Sequence, residues 1–277
     1  MSRMICGVSV RGASHIRAEK PCEDCYKYQE ISDTVALMAV ADGHGSDACP
    51  FSRTGAKVAV NTFCSVVGGL LANFSDNTEL LITYLNREGE VKVAKAIEEE
   101  WKRRVWKAHL EHKREVPLNP DGSQKKTAVY RMYGTTLLGL MVLPDFLFAF
   151  QLGDGDMMSV DAEHVEPIVE TDKILGTETH SLSSENAWKN AVTAVHRRDR
   201  DCSQLYMLST DGFSNSHASE ESFWQTCREY FDMVQENGFE SVAENLKGWL
   251  AETSELGCGD DITVVMNYYD SQADVHE

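Results

Sequence analysis

Apolar residues in this chain fall into two kinds of run. The first kind is short and nearly continuous. MICGVSVRG (4–12), TVALMAVAD (34–42), GTTLLGLMVL (134–143), FLFAFQLGDGDMMSVD (146–161), QLYMLSTDGF (204–213) and DDITVVMNYY (260–269) belong to it. Such runs predict strands covered on both faces. The fourth reads as a meander with a turn at Gly153 to Asp156. The second kind has helical spacing. Ala59, Phe63, Val66 and Leu70 place one long helix over 51–74, and Val91, Ala94, Ile97, Trp101, Val105 and Ala108 place another over 90–113. Two more helices are predicted at about 219–235 and 239–252, the first capped by Ser219 with Glu220 and Glu221 in its opening turn. The order is strands, helix pair, strands, helix pair, strand. It predicts an α+β protein in which two sheets pack face to face with helix pairs outside.

No repeat or low-complexity linker divides the sequence, so 1–270 reads as one domain with a short polar tail at 271–277. The 277 residues carry 26 basic and 44 acidic side chains, a formal net charge of −18. That charge repels phosphate backbones and anionic lipid, so neither nucleic acid nor a membrane is an expected partner. No apolar run reaches the ~18 residues of a membrane span and no signal-peptide core opens the chain, so a cytoplasmic location is expected. Eight cysteines are scattered rather than paired. CEDC (22–25) has the spacing of half a zinc site, but no second pair accompanies it.

The carboxylates carry more information. Three apolar runs end in an Asp beside Gly, at Asp42-Gly43, Gly153-Asp154 and Asp211-Gly212, and a fourth begins at Asp260-Asp261. One Asp-Gly after a strand is ordinarily a turn. Four, each at a strand end, converge if the last strand runs antiparallel to its neighbours. Glu23 and Asp24 are placed to join them. Clustered carboxylates repel one another and need cations, and an all-oxygen set suits Mg²⁺ or Mn²⁺ rather than zinc. Two such ions activate a water and clamp a phosphoryl oxygen. His44, two residues beyond Asp42, is then placed to protonate a leaving alkoxide.

The segments PCEDCY, ADGHGS, GTTLLGL, FQLGDGDMM, LSTDGFSNS and GDDITVV, spread over about residues 5–268, resemble the metal-dependent protein phosphatases of the protein phosphatase 2C type, in that family's order. GASHIRAEKPCED looks like a bacterial branch. The resemblance implies a four-layer αββα sandwich, with two antiparallel sheets between helix pairs. It also implies a binuclear Mn²⁺ or Mg²⁺ centre, with a third ion in some members. By the family pattern Asp42 bridges the metals and Gly43 lends its carbonyl. Asp211 and Asp260 bind the first ion, Glu23 and Asp24 hold the second largely through water, and Asp154 with Asp211 supports the third. His44 resembles the general acid. The implied reaction is direct attack of metal-bound water on a phosphoserine or phosphothreonine protein, a partner kinase or its targets, without a phosphoenzyme.

Three positions depart from the pattern. Glu19 stands where many members carry a phosphate-gripping arginine, which leaves His15, Arg17 or Lys20 to take its place; His15 and Arg17 are the candidates carried forward. Gly155 replaces a serine, and Asp261 an asparagine. The stretch 170–203 corresponds to the family's flap and puts Arg197, Arg198 and Arg200 of HRRDRD there; a basic flap would attract an acidic phosphopeptide, but a solvated loop is the preferred reading of such a charge run. A catalytically weak regulatory or binding module of the same fold is the alternative reading, and hydrolysis of a small phosphomonoester a third.

Overall fold

The computed structural model describes residues 2–74, 77–170 and 179–271. In chain order the elements are β1 (Ser2–Val10), the short α1 (Ala13–Arg17), β2 (Cys25–Ser32), β3 (Val35–Ala41), α2 (Ser52–Asn73), α3 (Thr78–Glu88), α4 (Ala94–Glu111) and α5 (Lys126–Arg131). Then come β4 (Leu137–Val142), β5 (Phe146–Leu152), β6 (Asp156–Val160), β7 (Val165–Pro167), β8 (Val192–Arg197), β9 (Gln204–Ser209), α6 (Asp211–Ser214), α7 (Glu220–Asn237), α8 (Phe239–Leu256) and β10 (Ile262–Asp270). One sheet has the order β1-β10-β9-β6-β7 and the other β2-β3-β4-β5-β8. Every pairing is antiparallel.

The near-continuous apolar runs follow from this layering. In β3, Leu37, Ala39 and Ala41 face α2 and α4, while Met38 and Val40 face the opposite sheet. In β10, Val264, Met266 and Tyr268 face α7 and α8, while Val265 and Tyr269 face the other sheet. Each strand thus buries both faces, and three apolar layers separate four layers of structure. By length and composition α2 could cross a bilayer. Its Ala56, Ala59, Val60, Phe63 and Val67 are instead covered by the sheet and by α4.

Two expectations need correction. β5 and β6 do not form a hairpin: β5 pairs with β4 and β8, and β6 pairs with β7 and β9 in the other sheet. Gly153 to Gly155 is therefore the crossover between sheets, made tight by Gly153 at φ 120°. The predicted helix at 90–113 begins as a π-helical turn, Gly89–Val93, and is preceded by α3, whose Asn77 cap accepts from the Leu80 amide. Ala-poor, polar α3 gave no long apolar stripe to read. Of the tail, 272–277 lie outside the described residues.

The layering puts the ends of β3, β5 and β9 and the start of β10 at one edge of the sandwich, where Asp42, Asp154, Asp211 and Asp260 leave the strands.

Candidate metal and phosphoryl-transfer site

Asp42 is anchored by its backbone. Its amide donates to Thr136 Oγ1 at 2.9 Å, and its carbonyl accepts from the Thr136 amide at 2.8 Å and from Thr135 Oγ1 at 2.7 Å. The β3 ladder is thereby extended past its last apolar residue, which aims the carboxylate out of the sheet end. Gly43 follows because a Cβ there would sit 2.8 Å from the Glu23 carbonyl. Gly212 is required for the same reason, since a Cβ would lie 2.0 Å from the Asp261 carbonyl.

Asp24 reaches the cluster from the segment before β2. It is buried and accepts from Thr210 Oγ1 at 2.7 Å. Burial, and then the Asp261 charge, push its carboxyl up. Asp42 lies against it, and is pushed well up by burial and by the charges of Asp24, Asp211 and Asp260. Asp211 opens α6 and rises to about 6, through burial and the charges of Asp154, Asp260 and Asp156. Four predicted ligands, Asp24, Asp42, Asp211 and Asp260, thus feel one another electrostatically, and Asp154 joins them through Asp211. Asp154 is oriented by Thr179 Oγ1 at 2.6 Å.

Glu23 is used differently. Its Oε2 accepts from Ser52 Oγ at 2.8 Å and from the Arg53 amide at 2.6 Å. This carboxylate caps the start of α2, where the helix dipole favours it. Its charge is not among those that raise Asp24, Asp42 or Asp211.

Sequence reasoning missed Asp261, in which it sees only a departure from asparagine. Asp261 is buried, with Oδ1 taking the Gly12 amide at 2.6 Å and Oδ2 the Glu23 amide at 2.7 Å. It ties both loops that bound the site to the start of β10. The signal was the second acidic residue before a strand, legible only once the loops that fold onto it are known.

His44 is packed against Gly134, where a Cβ would meet its Cδ2 at 2.5 Å, and its amide donates to the Gly134 carbonyl. Burial holds its pKa below the ordinary value, and the Asp154 charge opposes that. His15 lies with Nδ1 2.9 Å from Asp261 Oδ1, not aligned as a hydrogen bond, and Nε2 3.8 Å from Asp260 Oδ1. Arg17 extends beside Gly259, and Lys20 Nζ comes within 3.5 Å of the Gly45 carbonyl. His15 thus lies at Asp260 and Asp261, while Arg17 and Lys20 reach the backbone next to Asp260 and His44. In HRRDRD, Arg197 pairs with Phe146 at the opposite end of β5, so the run lies away from the carboxylates; Arg197 and Arg200 are exposed, as a solvated charge run requires, while Arg198 is buried. Of the expected flap, 171–178 lie outside the described residues.

The donor set fits hard divalent cations. It is all oxygen, and Asp24, Asp42 and Asp211 are held up in pKa by burial and neighbouring carboxylates, a cost that positive charge would relieve. Among the described residues no three His, Cys, Asp or Glu side chains already close on one point. Ions here would therefore take much of their shell from water, as Mg²⁺-type ions do.

No curated protein matches the chain in sequence. Solved structures do match in fold. The catalytic domain of the serine/threonine protein phosphatase PstP, in complex with two manganese ions, is 18% identical, with 97% of this chain and 99% of that one covered and a TM-score of 0.54. The Mycobacterium tuberculosis serine/threonine phosphatase PstP/Ppp is 17% identical, with coverage of 96% and 98% and a TM-score of 0.55. Serine/threonine phosphatase Stp1 from Staphylococcus aureus is 12% identical, with coverage of 98% and 96% and a TM-score of 0.63. At these identities the likeness carries the αββα fold. The family description is more specific: protein phosphatase 2C matches residues 11–251. With that match over most of its length, the chain belongs to the protein phosphatase 2C family.

Proposed function

We propose that this protein is a Mn²⁺- or Mg²⁺-dependent serine/threonine phosphoprotein phosphatase. The observation that carries the reading is the convergence of Asp24, Asp42, Asp211 and Asp260 at one sheet end, at mutual electrostatic cost. Such a cost is kept where a bound cation offsets it. Asp42, Asp211 and Asp260 with the Gly43 carbonyl would hold the ions, Asp24 would act through its hydrogen bonds, and Asp154 would serve a further, weaker ion. When bound, the ions would supply an activated water and positive charge for the phosphoryl oxygens.

The chain's own residues do the rest. Arg17 and Lys20, next to Asp260 and His44 in the chain's fold, would supply the positive charge that Glu19 cannot, and His15 beside Asp260 would add a hydrogen-bond donor. As the phosphorus–oxygen bond to serine breaks, the leaving oxygen takes a proton from His44. Gly134 fixes where that imidazole stands. Burial of His44 works against its protonation, and Asp154 restores part of it. Glu23 and Asp261 hold the loops that present these groups.

The test is hydrolysis of p-nitrophenyl phosphate and of a phosphoserine peptide by metal-stripped protein, before and after Mn²⁺ or Mg²⁺ is added. Turnover restored by metal in wild type and absent in Asp211→Ala is the expected result. Metal binding without turnover of any substrate would favour the regulatory module instead. Turnover of small phosphates alone would favour the phosphomonoesterase.

A further inference from the structure

A cavity of about 660 Å³ opens along the crossover that carries Asp154. Gly155 and Asp156, which follow Asp154 in the crossover between sheets, form its inner wall. Asp156 is near enough to the cluster for its charge to act on Asp211. Met157 and Trp224 supply apolar surface, and Glu170 and Glu220 stand exposed on its lining, from the end of the β7 segment and the first turn of α7. Among the described residues neither Glu170 nor Glu220 has an ion-pair partner.

We propose that this cavity is a specificity pocket that takes an arginine or lysine side chain flanking the phosphorylated residue of a protein substrate. The proposal rests on the phosphatase reading above and adds to it the class of sequence preferred. Three features favour a cationic side chain. The wall mixes an indole and a thioether with carboxylates, which suits a long methylene stem ending in a charge. An indole face attracts a guanidinium. A bare metal ion would want oxygen alone, and an acidic side chain would meet like charge from Glu170 and Glu220. The position agrees with the reach of a peptide. An extended chain advances roughly 3.3–3.6 Å per residue, so a side chain two or three positions from the phosphoserine reaches a pocket that begins next to Asp154. The net charge of −18 biases the whole surface toward the same class of partner.

The experiment is a set of phosphoserine peptides with Arg, Ala or Glu scanned over three positions on each side, assayed with Mn²⁺ on wild type and on Glu170→Gln/Glu220→Gln. Wild type is expected to prefer Arg over Ala at one of these positions on the order of tenfold in kcat/KM, mostly through KM. The double variant is expected to lose most of that preference. Its turnover of p-nitrophenyl phosphate, which has no side chain to seat, stays within about twofold. Glu220→Lys should then favour the Glu peptides. Peptide turnover without an Arg or Lys preference overturns the pocket while leaving the phosphatase standing. A preference that survives unchanged in the double variant overturns the assignment to this cavity. No turnover of any phosphate ester with metal present overturns the reading beneath it.

Discussion

The two ends of the sandwich bury charge in opposite ways. At the far end Arg3 and Arg198 enter the structure as cations and meet acceptors. Arg3 donates to the Asp33 and Ser32 carbonyls and to Glu30, and Arg198 donates to the Leu143 carbonyl and Tyr206 Oη. The Arg198 guanidinium also lies 3.9 Å from the centre of the Tyr269 ring. Only one Nη of each arginine lacks a partner. At the near end Asp24, Asp42 and Asp211 are packed with like charge, and their pKa values rise in consequence. Buried charge with partners to satisfy it suits a structural role, whereas a buried cluster of like charge is the candidate for a bound cation. Both ends are polar and partly buried, and only the balance of partners separates structure from function.

The largest effect should come from removing a carboxylate. Asp42→Asn and Asp211→Ala are each expected to lower metal-dependent turnover of p-nitrophenyl phosphate by about 10³-fold or more. Thermal melts of the metal-free proteins should show no loss of stability, because a repelling charge is gone. A large loss of stability would place these aspartates with the structural charges of the far end. Next comes His44→Ala. It should cost about 10²–10⁴-fold on a phosphoserine peptide, and much less on p-nitrophenyl phosphate, whose leaving group needs little protonation. Equal losses on the two substrates would remove the general-acid role.

Arg198→Ala addresses the other end. It should destabilise the fold by roughly 2–4 kcal/mol, read by denaturant titration, from lost packing and hydrogen bonds. Turnover at 25 °C should be unchanged. A loss of turnover without a loss of stability would break the contrast between the ends.

The smallest effect is a pH dependence. The folded-state pKa of Asp211, about 6, exceeds that of an unfolded aspartate, 3.8, and Asp24 and Asp42 shift in the same direction. A raised carboxyl binds its proton more tightly when folded. Its contribution is therefore fully present below about pH 4 and is lost as pH rises through about 6 and above. The metal-free protein should lose stability across that window, and Mn²⁺ should remove the slope, so that the metal raises Tm more at pH 7.5 than at pH 5. An equal shift at both values would separate metal binding from these carboxylates.

Much of this was legible in the sequence because it depends on local patterns. Continuous apolar runs gave the doubly covered strands, and Asp42, Asp154, Asp211 and Asp260 stood out as acids at strand ends. What was hidden depends on contacts between distant segments. The crossover after β5 looks like a hairpin because a glycine-rich turn does not reveal which sheet the next strand joins. Glu23 sits next to Asp24 in sequence, yet the start of α2 claims its carboxylate. Asp261 looks redundant until the Gly12 and Glu23 amides arrive from 249 and 238 residues away. Arg198 looks like part of a solvated charge run and is buried. His15 was named without an address, and only the fold sets it beside Asp260 and Asp261.

On the phosphatase reading, the near-end carboxylates are cation ligands that wait partly protonated. Calorimetric titration of metal-free protein with Mn²⁺ at pH 6.5, repeated in buffers of different ionisation enthalpy, counts the protons released on binding. Release of protons in wild type, with weaker binding in Asp42→Asn, is the expected result. Binding that releases no proton, or that Asp42→Asn leaves unchanged, would contradict the account.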